Sequence, residues 1–272
     1  MRMDRRAWLL APALLLLLAA FVWPVGWLLL RAFTEPRPGL QNFVLLWERP
    51  VYVRVVGNTV LIAAALTPVC LLLGFPVAHA MAHGGPRLRR WLTAMVLVPF
   101  WTSLLVRAFA TVILLQRRGP LNAALLALGI TDHPLPLLYN LTGLMLGAVQ
   151  TLLPFAVFPL HAAMARIEPS LMLAALTMGA HPVRAFLRVY LPLTLPGLLA
   201  GATLVFISAL GYYVLPALLG GPRELMVSQL IQDQIGHGDW GGAGALSLVL
   251  LASTALLLWA LHRTVGLGAV AR

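Results

Sequence analysis

Six long apolar segments, separated by shorter polar stretches, constrain the fold of this chain more than any other feature. They cover roughly residues 8–30, 55–82, 91–115, 139–163, 191–219 and 243–262. Each reaches the roughly 20 residues that a helix needs to cross the hydrocarbon core of a bilayer. A backbone inside lipid must satisfy its own hydrogen bonds, which favours helices. The sequence therefore predicts an all-α polytopic membrane protein with six transmembrane helices in a single domain, residues 1–272.

The composition supports this class and excludes others. Hydrophobic residues make up 61% of the 272 positions and charged residues only 10%, whereas a soluble domain carries roughly a quarter charged residues. All 19 basic residues are Arg, and the net charge is +11. Because these arginines lie between apolar segments, they indicate membrane topology rather than a nucleic-acid partner. Without Lys, the chain has no GxxxxGK[ST] phosphate-binding loop and is not expected to bind ATP in that way by itself.

The arginines also predict an orientation. If the N-terminus is cytoplasmic, eleven arginines fall on the cytoplasmic side and seven outside, and Arg107 lies within the third span. Six of the eight acidic residues then lie outside. Cytoplasmic loops of membrane proteins carry an excess of Arg and Lys. Both termini are therefore expected in the cytoplasm, and the first segment is expected to be a retained helix because it is longer than the apolar stretch of a secretory signal.

No group of residues indicates catalysis or a cofactor. The single cysteine, Cys70, excludes a disulfide within the chain. None of the seven histidines is expected to bind a metal, because the partners that a zinc site needs are missing. Ser103, Ser208 and His161 show no recognisable pairing of a nucleophile with a base. The chain is expected to be non-catalytic, with no metal and no cofactor.

The segment between the fourth and fifth spans has an unusual pattern. Glu168 and Pro169 suit the start of a short helix, and Gly179 suits a left-handed cap at its end. His181–Pro182 then begins a second short helix. The first helix places Leu171, Ala174, Ala175 and Met178 at helical spacing, which predicts one apolar face. Such a face packs on the membrane surface or under other helices, or docks in a groove of another protein.

The same segment resembles the conserved cytoplasmic motif of ATP-binding-cassette importer permeases, in which EAA, three residues, G, nine residues and I-x-LP follow one another. Ala174 and Ala175 match the alanines, Gly179 follows after three residues, Val189 takes the isoleucine position, and Leu191–Pro192 complete the motif. The resemblance implies that the loop 164–191 docks on an ATPase subunit and transmits its closure. Leu173 replaces the motif's Glu, so that either the partner offers an apolar pocket there or the coupling is weaker.

Further stretches look like the first permease subunit of spermidine/putrescine-type importers. They are VPFWTSLLVRAF (98–109), RGPLNAALLALGI (118–130), LLPFAVFPLHAAMARIEPS (152–170) and LPLTLPGLLAG (191–201). The resemblance implies a type I importer permease in a bacterial inner membrane that forms half of a solute pathway. Implied partners are a dimer of ATPase subunits, a second permease in a heterodimer, and a solute-binding protein. A polyamine is the expected solute; an anion or an amino-acid-like compound is the alternative.

A few residues inside the spans are candidates for the pathway. Arg107 is the one ionisable residue placed deep in a span, where a charge costs roughly 2.5–3.5 kcal/mol. It therefore faces the pathway or a partner helix, or it extends to the membrane surface. Trp101, Phe109, Tyr212 and Tyr213 either offer aromatic faces to a cation or pack against lipid and other helices. Relatives often carry an acid around position 212, where this chain has Tyr.

Two other classes of membrane protein are alternatives. A secondary transporter needs ion-coupling acids or broken polar helices in the membrane, and no acid lies inside any predicted span. A structural membrane scaffold accounts for the apolar loop without transport. An importer permease accounts for both the spans and the loop motif.

Overall fold

The computed structural model describes residues 11–265, and all regular secondary structure in this part of the chain is helical, as predicted. Residues 8–10 of the first predicted span lie outside the described part. The helices, in chain order, are α1 (Ala11–Leu17), α2 (Trp23–Thr34), α3 (Gln41–Glu48), α4 (Pro50–His83), α5 (Pro86–Trp101), α6 (Leu104–Leu115), α7 (Pro120–Ala127), α8 (Leu141–Met164), α9 (Pro169–Thr177), α10 (Pro182–Ala185), α11 (Leu191–Leu210), α12 (Val214–Leu219), α13 (Val227–Gly236) and α14 (Trp240–Val265). Single π-helical turns at Leu18–Val22 and Phe186–Tyr190 join α1 to α2 and α10 to α11.

Five helices in the described part are long and apolar enough to cross a bilayer, and a bent pair provides a sixth candidate span. The five are Pro12–Thr34, Pro50–His83, Leu141–Met164, Pro182–Leu210 and Trp240–Trp259. Their lengths range from 20 residues, for the stretch within α14, to 34 residues for α4. The predicted class, an all-α membrane protein, is confirmed, and the number of candidate spans is six when the bent pair is counted as one span.

The third predicted span, 91–115, is not one straight helix. The structure bends by 101° between Pro86–Trp101 and the helical stretch that begins at Leu104. Thr102 and Ser103 between them have extended backbone conformations, with ψ of 139° and 136°. Pro99 contributes to the break because its ring removes one helical hydrogen bond and crowds the preceding turn. Hydropathy does not register such a break, since both sides of it are apolar.

The described chain forms two compact units. One contains residues 57–226 together with the end of α14, and the other contains residues 11–56 and 227–256. The core of the first unit is a cluster of buried side chains from α4, α5, α8 and the π-helical turn before α11. Its members are Ala78, Met81, Val96, Val157, Leu160, Met164 and Tyr190. Both candidate sites described below lie in this unit.

Helices α8 and α11 approach each other closely because glycines stand at their contact. A Cβ atom at Gly197 would lie 2.6 Å from Ala163 Cβ and 2.8 Å from the carbonyl oxygen of Pro159. At Gly201 it would lie 3.3 Å from the carbonyl oxygen of Ala156. Small residues allow this kind of close approach between helices in a membrane. The pair α8–α11 forms the scaffold from which the segment 165–190 extends.

In the second unit, polar and cation–π contacts organise α2 and join it to α3. The side-chain amide of Asn42 donates to the carbonyl oxygens of Ala32 (2.8 Å) and Glu35 (2.7 Å), which satisfies the end of α2. The Arg31 guanidinium lies 3.6 Å above the Trp27 ring and 3.2 Å from a Glu35 carboxylate oxygen. These contacts fix the turn at the end of the first span.

A buried asparagine organises the segment between α6 and α8. Asn122, with no exposed surface, donates from Nδ2 to the carbonyl oxygens of Gln116 (3.1 Å) and Leu135 (3.0 Å). Its Oδ1 accepts from the backbone N–H of Leu135 at 2.8 Å. Three hydrogen bonds from one side chain therefore connect α7 to the turns on both sides of it.

Replacing Asn122 is expected to destabilise this segment. Asn122→Ala removes the side-chain partner of partly buried backbone groups of Gln116 and Leu135, at a total cost of about 1–3 kcal/mol. Thermal unfolding of the purified protein in detergent measures the effect. Asn122→Asp retains the acceptor but places a buried carboxylate oxygen against the two carbonyl oxygens that Nδ2 contacts, so its melting temperature is expected at or below that of Asn122→Ala. Equal melting temperatures for all three proteins would contradict the assignment.

Candidate functional site

The candidate coupling segment forms the two short helices that the sequence predicts. Helix α9 begins at Pro169 after Glu168 and ends before Gly179, whose φ is +85°. The N–H of Gly179 donates to the Leu176 carbonyl (3.0 Å), and the N–H of Ala180 donates to that of Ala175 (3.1 Å). This is the hydrogen-bond pattern of a helix cap with a left-handed residue, which glycine adopts without steric cost. Helix α10 then begins at Pro182, as expected.

The buried side of α9 differs from the predicted apolar face. Of the four residues expected on that face, Ala175 is buried, with 6% of its surface exposed, whereas Met178 is 81% exposed and Leu171 44%. Met172 packs against the buried core cluster in their place. The motif position Leu173 is 62% exposed. Helix α9 therefore uses a narrow strip of small and flexible side chains to pack, and it leaves larger apolar side chains uncovered.

Six apolar side chains of this segment are exposed, and we call these residues together the coupling surface. It consists of Leu171, Leu173, Leu176, Met178, Val183 and Leu187. Among the other motif residues, Ala174 and Pro192 are exposed, and Val189 and Leu191 are half-buried. The motif thus contributes both to the surface and to the root of the segment.

Aromatic contacts join the root of the segment to α4. The Tyr190 hydroxyl lies 2.9 Å from His79 Nδ1. The ring of Phe186 stacks on that of Tyr190, with centroids 5.4 Å apart, and meets the ring of Phe75 edge-on at 5.9 Å. These contacts connect the short helices directly to a spanning helix.

The candidate pathway residues do not all lie together. A cavity of about 330 Å³ contains Arg107 and Tyr212 in its lining, together with Pro99, Phe100, Leu104, Thr151, Phe155 and Ser208. Trp101, Phe109 and Tyr213 do not line this cavity, and their exposed fractions are 88%, 53% and 43%. The sequence reasoning missed Thr151 and Ser208 as cavity residues. The signal that could have identified them is that each carries a hydroxyl group within a largely apolar span.

The Arg107 side chain extends back across the break between α5 and α6 and binds the end of α5. Its Nη1 donates to the carbonyl oxygen of Pro99 at 2.7 Å. The break at Thr102 and Ser103 deprives the last carbonyls of α5 of helical partners, and a cation there also offsets the negative end of the helix dipole. The buried Nε atom has no hydrogen-bond partner within the described residues. Arg107 therefore fixes the bend, and it is at the same time part of the cavity wall.

Comparisons with known proteins give the family of the chain. Residues 70–263 match the family described as "Binding-protein-dependent transport system inner membrane component". The chain is 35% identical over 225 residues to the spermidine/putrescine transport system permease protein PotB of Haemophilus influenzae. The alignment covers 82% of this chain and 78% of that protein. It is 31% identical over 235 residues to the inner membrane ABC transporter permease protein YdcU of Escherichia coli K12. That alignment covers 82% of this chain and 75% of YdcU.

A solved structure has the same fold. It is a bacterial ABC transporter involved in the import of the acidic polysaccharide alginate, with a TM-score of 0.71, 21% identity and 96% coverage of both chains. The family match covers α5 to α13 in full, and with them the coupling segment and the cavity. The chain belongs to the inner-membrane permeases of binding-protein-dependent ABC importers, as a non-catalytic, multi-pass transport component of the bacterial inner membrane.

Proposed function

We propose that this chain is the first of two permease subunits of a polyamine-type importer and forms half of its solute pathway. The observation that carries the proposal is the 35% identity to a spermidine/putrescine permease over 82% of the chain. The aromatic rings of Phe100, Phe155 and Tyr212 in the cavity wall offer faces that attract organic cations. A second permease, two ATPase subunits and a solute-binding protein complete the proposed assembly.

The coupling surface is the proposed contact with the ATPase subunit. Leu173 and Met178 are large apolar side chains left exposed on this pair of short helices, and an apolar groove in a partner protein would cover them. Leu173 stands where the family motif has Glu, so the proposed groove is apolar at that position. In the proposed assembly the segment, and with it both termini, lies on the cytoplasmic side, in agreement with the arginine distribution.

One observation favours a second candidate, a small solute that carries an anionic group. The cavity wall contains the Arg107 guanidinium and the hydroxyl groups of Thr151, Ser208 and Tyr212, and none of the residues that line it is acidic. Guanidinium groups and hydroxyls bind carboxylates and phosphonates well. If the solute is a polyamine, Arg107 serves the helix bend and its charge is offset by the end of α5.

Uptake assays separate the two solute classes. The gene for this chain is deleted in its host, and uptake of labelled putrescine, spermidine and an anionic amino acid is measured before and after the gene is restored. The proposal expects polyamine uptake to fall on deletion and to return with the gene. Unchanged polyamine uptake, with loss of the anionic solute, would establish the second candidate. No change for any of the three solutes would contradict the polyamine proposal and would exclude the tested amino acid as the alternative solute.

Arg107→Gln is expected to reduce uptake by roughly tenfold or more without changing solute preference. The substitution removes a charged hydrogen bond worth about 1.5–3 kcal/mol, which fixes the bend, and about 1.4 kcal/mol corresponds to a factor of ten. Arg118→Gln, which alters an exposed arginine in the same unit, is the matched control and is expected to leave uptake unchanged. A shift in the ratio of polyamine to anion uptake would show instead that Arg107 contacts the solute.

A further inference from the structure

The end of α4 carries two histidines on one helical face. His79 and His83 are four residues apart, and their ring centroids are 4.5 Å apart with the planes tilted by 32°. The expectation from sequence that no histidine binds a metal overlooked this spacing. Residues four apart on a helix are neighbours on its surface, and two histidines at this spacing form part of known zinc motifs.

In both rings, the Nδ1 atom is the nitrogen within hydrogen-bond distance of another group. His83 Nδ1 donates to the carbonyl oxygen of His79 at 3.2 Å, and His79 Nδ1 lies 2.9 Å from the Tyr190 hydroxyl. The Nε2 atom of each ring makes no hydrogen bond within the described part of the chain. Metal-binding histidines characteristically use one ring nitrogen for such an outer contact and the other for the metal.

The separation of the rings fits a shared ion. An ion bound to both Nε2 atoms at about 2.0–2.1 Å and at a right angle places the two ring centres roughly 4.5 Å apart. His83 is exposed and His79 is half-buried, so that water has access to complete the coordination. Among the described residues, no group of three or more His, Cys, Asp or Glu side chains could hold a metal. The arrangement is therefore a two-histidine chelate with an open water side.

We propose that His79 and His83 bind one divalent transition-metal ion of the Zn²⁺, Ni²⁺ or Cu²⁺ class through their Nε2 atoms. Imidazole ligands select these ions over Mg²⁺ and Ca²⁺, which require oxygen ligands. Binding selects the tautomer of His79 in which Nδ1 donates to the Tyr190 oxygen. Because Tyr190 forms the root of the coupling segment, an ion at this site restrains the contact between that segment and α4.

Calorimetric titration of the purified full-length chain, or of its complex, with Zn²⁺ tests the proposal. The protein carries a tag without histidine. We expect one ion per chain at pH 7.5, and an affinity at least about tenfold lower in both His79→Gln and His83→Gln. Tyr190→Phe removes only the outer contact and is expected to weaken binding by about 10–100-fold.

Controls locate the ion on the chain. His133→Gln, which alters an exposed histidine elsewhere in the same unit, is expected to bind Zn²⁺ like the parent. His83 is exposed, so His83→Gln is expected to retain the parent's size-exclusion profile. The proposal is overturned if the parent binds no ion, if both α4 histidine variants bind as tightly as the parent, or if His237→Gln abolishes binding, since His237 lies near Asp233 on α13.

Discussion

Gly179→Val is expected to reduce solute uptake by roughly 10–100-fold while the protein still reaches the membrane. Gly179 has a φ of +85°, and a Cβ atom added there would have no neighbour within 4 Å, so the effect comes from backbone conformation rather than from a collision. A non-glycine residue held in such a region costs about 1–3 kcal/mol. Relief of that strain rotates α10 relative to α9 and separates the two halves of the coupling surface.

The chain contains a close match for a control. Gly129 ends α7 with a φ of +66°, and it too has open space around it. Its N–H donates to the Leu126 carbonyl and that of Ile130 to the Leu125 carbonyl, the same pattern as at Gly179. Gly129→Val therefore introduces the same strain outside the coupling segment. Uptake and the amount of protein in the membrane are measured for both variants; equal losses of uptake would contradict a special role for Gly179.

The second large effect is expected for Gly197→Val, which is expected to reduce the amount of folded protein. A Cβ atom there collides with Ala163 and with the Pro159 carbonyl oxygen. Backbone on α8 cannot yield as a flexible side chain does, so Gly197→Val forces α8 and α11 apart. Overpacking typically costs about 1–3 kcal/mol and occasionally more. The root of the coupling segment and the wall of the cavity both depend on this helix pair.

Size-exclusion chromatography of a fluorescent fusion measures the folded fraction. Gly197→Val is expected to lose most of its monodisperse peak. Gly57→Val provides the control, because Gly57 lies within α4 with nothing within 4 Å of its added Cβ, and it is expected to keep the parental profile. A normal peak for Gly197→Val would show that α8 and α11 do not need their close approach.

The sequence predicted the parts of this molecule that depend on local patterns. Apolar length predicted the class and six candidate spans, and the positions of Glu168, Pro169 and Gly179 predicted the limits of α9. These features follow from hydropathy and from the backbone preferences of single residues. The family motif then marked the segment around Gly179.

Features that depend on contacts between distant residues were not predictable in this way. The bend at Thr102 and Ser103 lies between two apolar stretches, and the contact of Arg107 with Pro99 exists because of that bend. The inward side of α9 was predicted from spacing alone, but Met172 rather than Met178 packs on the core. Which apolar side chain is buried depends on where α4 and α8 lie, and the spacing within one helix does not contain that information.

Co-purification of the tagged chain from its native host in mild detergent tests the central claim most directly. The account predicts that an ATPase subunit and a second permease accompany the parent chain. Gly179→Val is expected to retain the second permease and to lose most of the ATPase subunit. A chain that purifies alone, under conditions that preserve a control importer, or a Gly179→Val variant that keeps its ATPase subunit in full, would contradict docking through the coupling surface.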